Sequence, residues 1–113
     1  MRAGAEVYID QCAACHTLSG AGIARMFPAL KDSPSVLSDR PDSLLRVVIS
    51  GTRAVSTRTA PTAPAMPAFG WKLSDEQIAS VLTYVRNAWG NAGAAVSTSD
   101  VTSARSDLAK RRD

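Results

Sequence analysis

Cys12-Ala13-Ala14-Cys15-His16 contains both cysteines and the only histidine of the chain. Cys-x-x-Cys-His is the attachment signature of a c-type haem, and each part of the spacing has a chemical reason. Two thiols about one helical turn apart reach the two vinyl groups on one edge of the porphyrin. The next residue turns its imidazole under the ring and reaches the iron as proximal ligand. The stretch therefore predicts one covalent haem c, attached at Cys12 and Cys15, with His16 on the iron.

Other uses of these five residues fit less well. A thioredoxin-like thiol pair needs a βαβ context, whereas Ala3-Gly4-Ala5-Glu6-Val7-Tyr8-Ile9-Asp10-Gln11 reads as a helix leading into the motif. A closed zinc site needs four Cys or His ligands, and the chain has two cysteines and one histidine. A plain disulfide leaves the adjacent histidine unexplained.

Outward from the motif, the pattern is helical with long irregular connections. The first helix is expected from about Ala3 to Gln11, with Gly4, Val7 and Tyr8 on one face. Gly20 to Leu37 reads as loop. A second helix is expected from Asp42 to Ser50, opened by Pro41, buried through Leu44, Leu45, Val48 and Ile49, and ended by Gly51. Ser74 and Gln77 form a capping box that opens a third helix. Its apolar positions are Ile78, Val81, Leu82, Val85 and Trp89, with Gly90 as the stop. Leu73 is placed to staple onto Ile78.

Between the second and third helices lies a Thr/Ala/Pro-rich segment, residues 52–70, too long to be idle in a small domain. It is expected to wrap the far side of the haem. Its first part, 52–64, carries Arg53 and Arg58, read as solvated loop charges. Trp71 is expected on the haem, on a propionate or in the core, and Trp89 as a helix-end anchor. Asn91 to Ala95 reads as a small-residue linker, followed by a short helix capped at Ser97 or Ser99, with Val101 and Leu108 on one side. This divides the chain into a haem domain, 1–90, and a C-terminal extension, 91–113.

Composition agrees with one domain. The 113 residues suffice for a modest core, and a buried haem would supply apolar volume that 5% aromatic residues do not. No apolar run of membrane-spanning length occurs, so no transmembrane segment is expected. No secretory signal is visible, as in an excised or mature segment. The net charge of +3 falls to about +1 with two propionates. The basic end, Lys110-Arg111-Arg112, has no interleaved aromatics, which excludes nucleic acid as a partner.

With a single histidine, bis-histidine ligation within one chain is impossible. The remaining choices for the sixth position are methionine, lysine or an open site. Met66, followed by Pro67 and close before the capped helix, is the first choice; Met26, two residues before Pro28, is its rival. A labile Met66 would instead leave a five-coordinate sensor or peroxidase-like iron, although no second histidine is available as a distal acid–base group.

The order Gly4-x-x-x-Tyr8, Cys12-x-x-Cys15-His16, Pro28-Ala29-Leu30, Met66-Pro67-Ala68-Phe69 and a final amphipathic helix resembles class I cytochrome c domains over residues 3–90. That resemblance implies an all-α fold, with three main helices plus loops around one covalent haem. It implies His16 and Met66 as axial ligands, and a Pro28 carbonyl that accepts the hydrogen bond of the other ring nitrogen of His16. It also implies a crossing of first and last helices at Gly4 and Tyr84, and an electron carrier rather than an enzyme.

The runs 41–51 and 66–79 are similar to the C-terminal haem domain of cytochrome c subunits serving quinoprotein and flavoprotein dehydrogenases. This implies an alcohol or sugar dehydrogenase as donor, a quinone or terminal oxidase chain as acceptor, and a periplasmic location reached through an export signal since removed. Those subunits carry three attachment motifs and a membrane-associating tail, where this chain has one motif and no apolar tail.

Overall fold

The computed structural model describes residues 2–23, 29–38, 41–51 and 66–110. Six helical segments occur among them: α1 (Arg2–Gln11), α2 (Ala13–His16), α3 (Pro34–Leu37), α4 (Asp42–Ser50), α5 (Asp75–Asn87) and α6 (Thr98–Lys110). No β-strand occurs among the described residues. The expected all-α class and the three expected helices are present as α1, α4 and α5. The helix expected after the linker is present as α6, and at 13 residues it is longer than the short helix expected.

The central packing is the crossing of α1 and α5. Gly4 is buried there, and a Cβ at this position would run into the Ser80 carbonyl oxygen and lie 2.7 Å from Tyr84 Cβ. Only a residue without a side chain lets the two backbones approach this closely. Tyr8, Leu45, Val48, Phe69, Leu73, Ile78, Val81, Leu82, Val85, Val96 and Val101 form the core. Burial follows the helical spacing of α4 and α5, as the sequence pattern requires.

The start of α5 matches its capping box. Gln77 N–H donates to Ser74 Oγ at 3.1 Å, and Ser74 N–H donates to Gln77 Oε1 at 2.8 Å. Its end differs from expectation. α5 stops at Asn87, Ala88 is extended, and Trp89 takes a positive φ of 56° before Gly90. Trp89 is therefore not a helical position. Its ring is drawn toward Tyr8 and Tyr84, with centroids at 5.2 and 5.8 Å, and its indole N–H donates to the Leu18 carbonyl at 2.8 Å. It anchors the chain end as expected, from outside the helix.

Three other expectations are corrected. The 20–37 stretch contains a helical turn, α3, which starts at Pro34 and buries Val36. Trp71 is 82% exposed and is not a core residue. The 91–95 stretch and Val96 after it are not a bare linker. Thr83 Oγ1 exchanges hydrogen bonds with the N–H and carbonyl of Val96, and Gly93 N–H donates to the Arg86 carbonyl at 2.9 Å.

α6 begins at a reciprocal cap: Asp100 N–H donates to Ser97 Oγ and Ser97 N–H to Asp100 Oδ2. Val101 is fully buried, and the helix packs on both α4 and α5.

Candidate cofactor-binding site

The attachment motif forms one turn of helix that continues from α1. Cys12 N–H still donates to the Tyr8 carbonyl at 2.8 Å, and the N–H groups of Cys15 and His16 both donate to the Cys12 carbonyl, at 3.2 and 3.0 Å. This turn carries both Cys12 and Cys15, each half-buried, and buries His16 at 8% exposure. It ends at Thr17, with φ of 67°, and the Tyr8 hydroxyl donates to the Thr17 carbonyl at 2.6 Å. Tyr8 thus ties the end of the motif to the helix that precedes it.

On the other side, the segment around Met66 lies across the C-terminus of α4. Phe69 N–H donates to the Val48 carbonyl at 2.9 Å and Gly70 N–H to the Ile49 carbonyl at 3.1 Å. These are two of the carbonyls a helix end leaves unpaired. Gly51 ends α4 with φ of 75°, and a Cβ there would lie 2.6 Å from the Met66 carbonyl oxygen and 2.8 Å from Ala68 N. Gly51 therefore serves both the helix stop and the close approach of the Met66 segment.

Between these two parts is a cavity of about 250 Å³, lined by Cys12, His16, Ala29, Leu30, Ser33, Val36, Ser43, Leu44, Val47, Val48, Met66, Phe69, Leu73, Val81, Leu82 and Val85. The structure brings Cys12, His16 and Met66 to this one space, and Cys15, half-buried, stands on the same turn as Cys12. Pro28, Met26 and the loop 52–64 with Arg53 and Arg58 lie outside the described residues.

The chemistry of the wall decides what the cavity suits. Thiol, imidazole and thioether are its distinctive groups, and nearly all else is aliphatic or aromatic. A large apolar macrocycle with a central iron and reactive edge substituents fits this donor set. A dithiol redox centre does not. Burial, with a smaller contribution from Cys15, pushes the Cys12 thiol up to about 11. A reactive pair needs a thiol lowered below its ordinary value. Among the described residues no cluster of metal-ligating side chains offers a separate metal site.

Three contributors were not visible in the spacing. Tyr8 was placed on a face, but its hydroxyl contact depends on where Thr17 turns. Asn91, read as linker, is buried; its Nδ2 donates to the carbonyls of Leu30 and Val85, and its Oδ1 accepts from Asp32 N–H at 2.8 Å. It holds the Ala29–Leu30 wall against α5. Arg105 on α6 reaches the Met66 side of the cavity. Tyr8 reaches across nine residues, and Asn91 and Arg105 reach groups 35 to 61 positions away, which no local pattern encodes.

The cytochrome c family model matches residues 1–89. The chain is 42% identical over 106 residues to the gluconate 2-dehydrogenase cytochrome c subunit of Pantoea cypripedii, covering 92% of this chain and 24% of that protein. It is 47% identical over 104 residues to the cytochrome c subunit of the quinone alcohol dehydrogenase of Gluconobacter oxydans, covering 91% and 22%. The chain thus spans about a quarter or less of these relatives' length. Among solved structures it is similar to cytochrome c6 from the diatom Phaeodactylum tricornutum, with TM-score 0.52, 26% identity, and coverage of 91% of this chain and 95% of that one. The glycine crossing, the Cys-x-x-Cys-His turn and the apolar cavity are thus those of a covalent haem c protein, and the chain belongs to the cytochrome c family.

Proposed function

We propose that the chain is an electron-transfer domain in which Cys12 and Cys15 would attach haem c, His16 and Met66 would ligate the iron, and the Pro28 carbonyl would orient His16. Residues 1–90 would form the haem domain and 91–113 an extension whose helix α6 packs on α4 and α5. The observation that carries this reading is that Cys12, His16 and Met66 line one apolar cavity.

When bound, the haem supplies an Fe(III)/Fe(II) couple. The protein's part would be to hold the iron through His16 and Met66 and to keep water away with an apolar wall. A thioether on one side favours the reduced state relative to a second imidazole. Leu44, Val47, Val48, Val81, Leu82 and Val85 supply a wall without charge, which favours the less charged state of the iron and raises its potential. The bonds of Phe69 and Gly70 to α4 and of Tyr8 to Thr17 would hold the Met66 and His16 segments with little rearrangement. Ala13 and Ala14 keep side chains small beside the two cysteines, and Ala14 is exposed. A partner can therefore come close to the attachment edge through a small, transient interface.

The similarity to dehydrogenase subunits supports a specific place for the domain: it relays electrons from a periplasmic alcohol or sugar dehydrogenase toward a quinone or terminal oxidase chain. No helix among the described residues is long and apolar enough to cross a membrane.

The test is an absorption spectrum of haem-matured protein, oxidised and reduced, with carbon monoxide added to the reduced form. A sharp c-type reduced spectrum, a Met–Fe(III) charge-transfer band and indifference to carbon monoxide are expected. The band is expected to vanish in Met66→Ala and persist in Met26→Ala. Ready carbon monoxide binding by the unaltered protein would overturn the closed-site reading.

A further inference from the structure

Arg105 lies in α6, yet both terminal nitrogens of its guanidinium donate to the segment that carries Met66. Nη1 donates to the Gly70 carbonyl at 2.5 Å and Nη2 to the Leu73 carbonyl at 2.6 Å. Nε donates to Asp75 Oδ1 at 2.5 Å, in the first turn of α5. A planar fork of donors can bridge three acceptors on one turn in a way that an ammonium cannot. Gly70 is also the residue whose N–H is held by the Ile49 carbonyl of α4. The 66–73 segment is therefore clamped from two sides, by the end of α4 and by α6. Only the second clamp comes from outside the part of the chain that matches the cytochrome c family model, residues 1–89.

We infer that Arg105 is a positioning residue for the sixth ligand: α6 acts through it to hold the 66–73 segment in the place where Met66 faces the cavity. The inference rests on Met66 as ligand. Without Arg105, the carbonyls of Gly70 and Leu73 turn to water and the segment loses its tie to α6, while its bonds to α4 remain. Local opening then becomes more frequent while the α1–α5 core stays intact. The consequence is transient loss of the thioether from the iron, not loss of the fold.

The experiment compares haem-loaded wild type, Met66→Ala, Arg105→Ala, Arg105→Lys and Thr102→Ala. Its readouts are the Met–Fe(III) charge-transfer band, the rate at which the ferrous form binds carbon monoxide, and thermal unfolding. Thr102 is a useful control, because its hydroxyl also bonds Asp75, at 2.6 Å, but touches neither carbonyl of the Met66 segment. Wild type is expected to show a band that Met66→Ala abolishes. Arg105→Ala is expected to bind carbon monoxide roughly tenfold faster and to lose the band at a lower temperature than it unfolds. Arg105→Lys is expected to recover only part of this, and Thr102→Ala to keep the wild-type rate. Equal rates in Arg105→Ala and wild type, with a Met66-dependent band in both, would overturn the role of Arg105 alone. A wild-type band that survives Met66→Ala would overturn the ligand assignment, and the inference with it.

Discussion

Tyr8 combines two interactions that come from different parts of its side chain. Its ring packs with Tyr84 and Trp89, and its hydroxyl donates to the Thr17 carbonyl. Tyr8→Phe keeps the ring contacts and removes the hydrogen bond, so it should lower stability by about 1–2 kcal/mol, read as a drop of several degrees in melting temperature. Burial, followed by smaller effects of Cys12 and Tyr84, holds the Tyr8 hydroxyl well above its ordinary value. Such a group contributes fully below the ordinary tyrosine pKa, about 10. Its contribution is lost as pH rises above that value, because the unfolded chain ionises first. Tyr8→Phe should therefore lose less stability than wild type in alkaline unfolding; parallel curves would contradict this. The crossing at Gly4 was implied by the family resemblance and is present; at this scale the sequence itself was legible where chemistry is local, in the Cys-x-x-Cys-His turn. The bond from Tyr8 to Thr17 was not, because its acceptor exists only once the chain turns at Thr17.

Among the elements, α4 and the start of α5 follow directly from Pro41, Gly51, Ser74 and Gln77, since caps act within a few residues. The two ends of the extension were harder to read. Asn91 is a polar residue in a run of small ones, and Arg105 sits on a helix whose sequence is mostly polar; each takes its role from backbone groups far away in the chain. The hydrogen bonds from Thr102 and then Arg105 hold the Asp75 carboxyl below its ordinary value. Arg105 is the charged group that α6 turns toward it. A lowered carboxyl pKa contributes stability above the ordinary carboxylate range and loses it as pH falls through the lower folded value. Acidification should therefore loosen α6 from α5. Asp75→Asn should weaken the docking at neutral pH and flatten the acid limb of the unfolding curve. An acid limb as steep in Asp75→Asn as in wild type would place the titration elsewhere.

For the whole molecule, the cavity means that the core is complete only with its prosthetic group. The walls from α4, α5, the Ala29–Leu30 segment and the Met66 segment face one another across about 250 Å³. A group that binds only the folded state stabilises it by mass action, and covalent attachment makes that contribution permanent. Protein with both Cys12→Ala and Cys15→Ala should lose covalent haem, melt at a much lower temperature and bind apolar dyes; calorimetry and dye fluorescence check this. A haem-free chain that melted like the mature protein would show the core to be closed without the group. The positions of α1, α4 and α5 and the attachment motif were determined by the sequence, because each rests on spacing and caps within a turn or two of helix; His16 stood out as the one histidine, and the fold class followed from an order of motifs that resembles class I cytochrome c. Tertiary structure alone decided that Trp71 faces solvent, that Trp89 leaves the helix to close the aromatic cluster, and that the C-terminal extension braces both sides of the cavity through Asn91 and Arg105. Those contacts join residues some thirty to seventy positions apart, and their partners are backbone groups, which every residue carries and no sequence pattern marks.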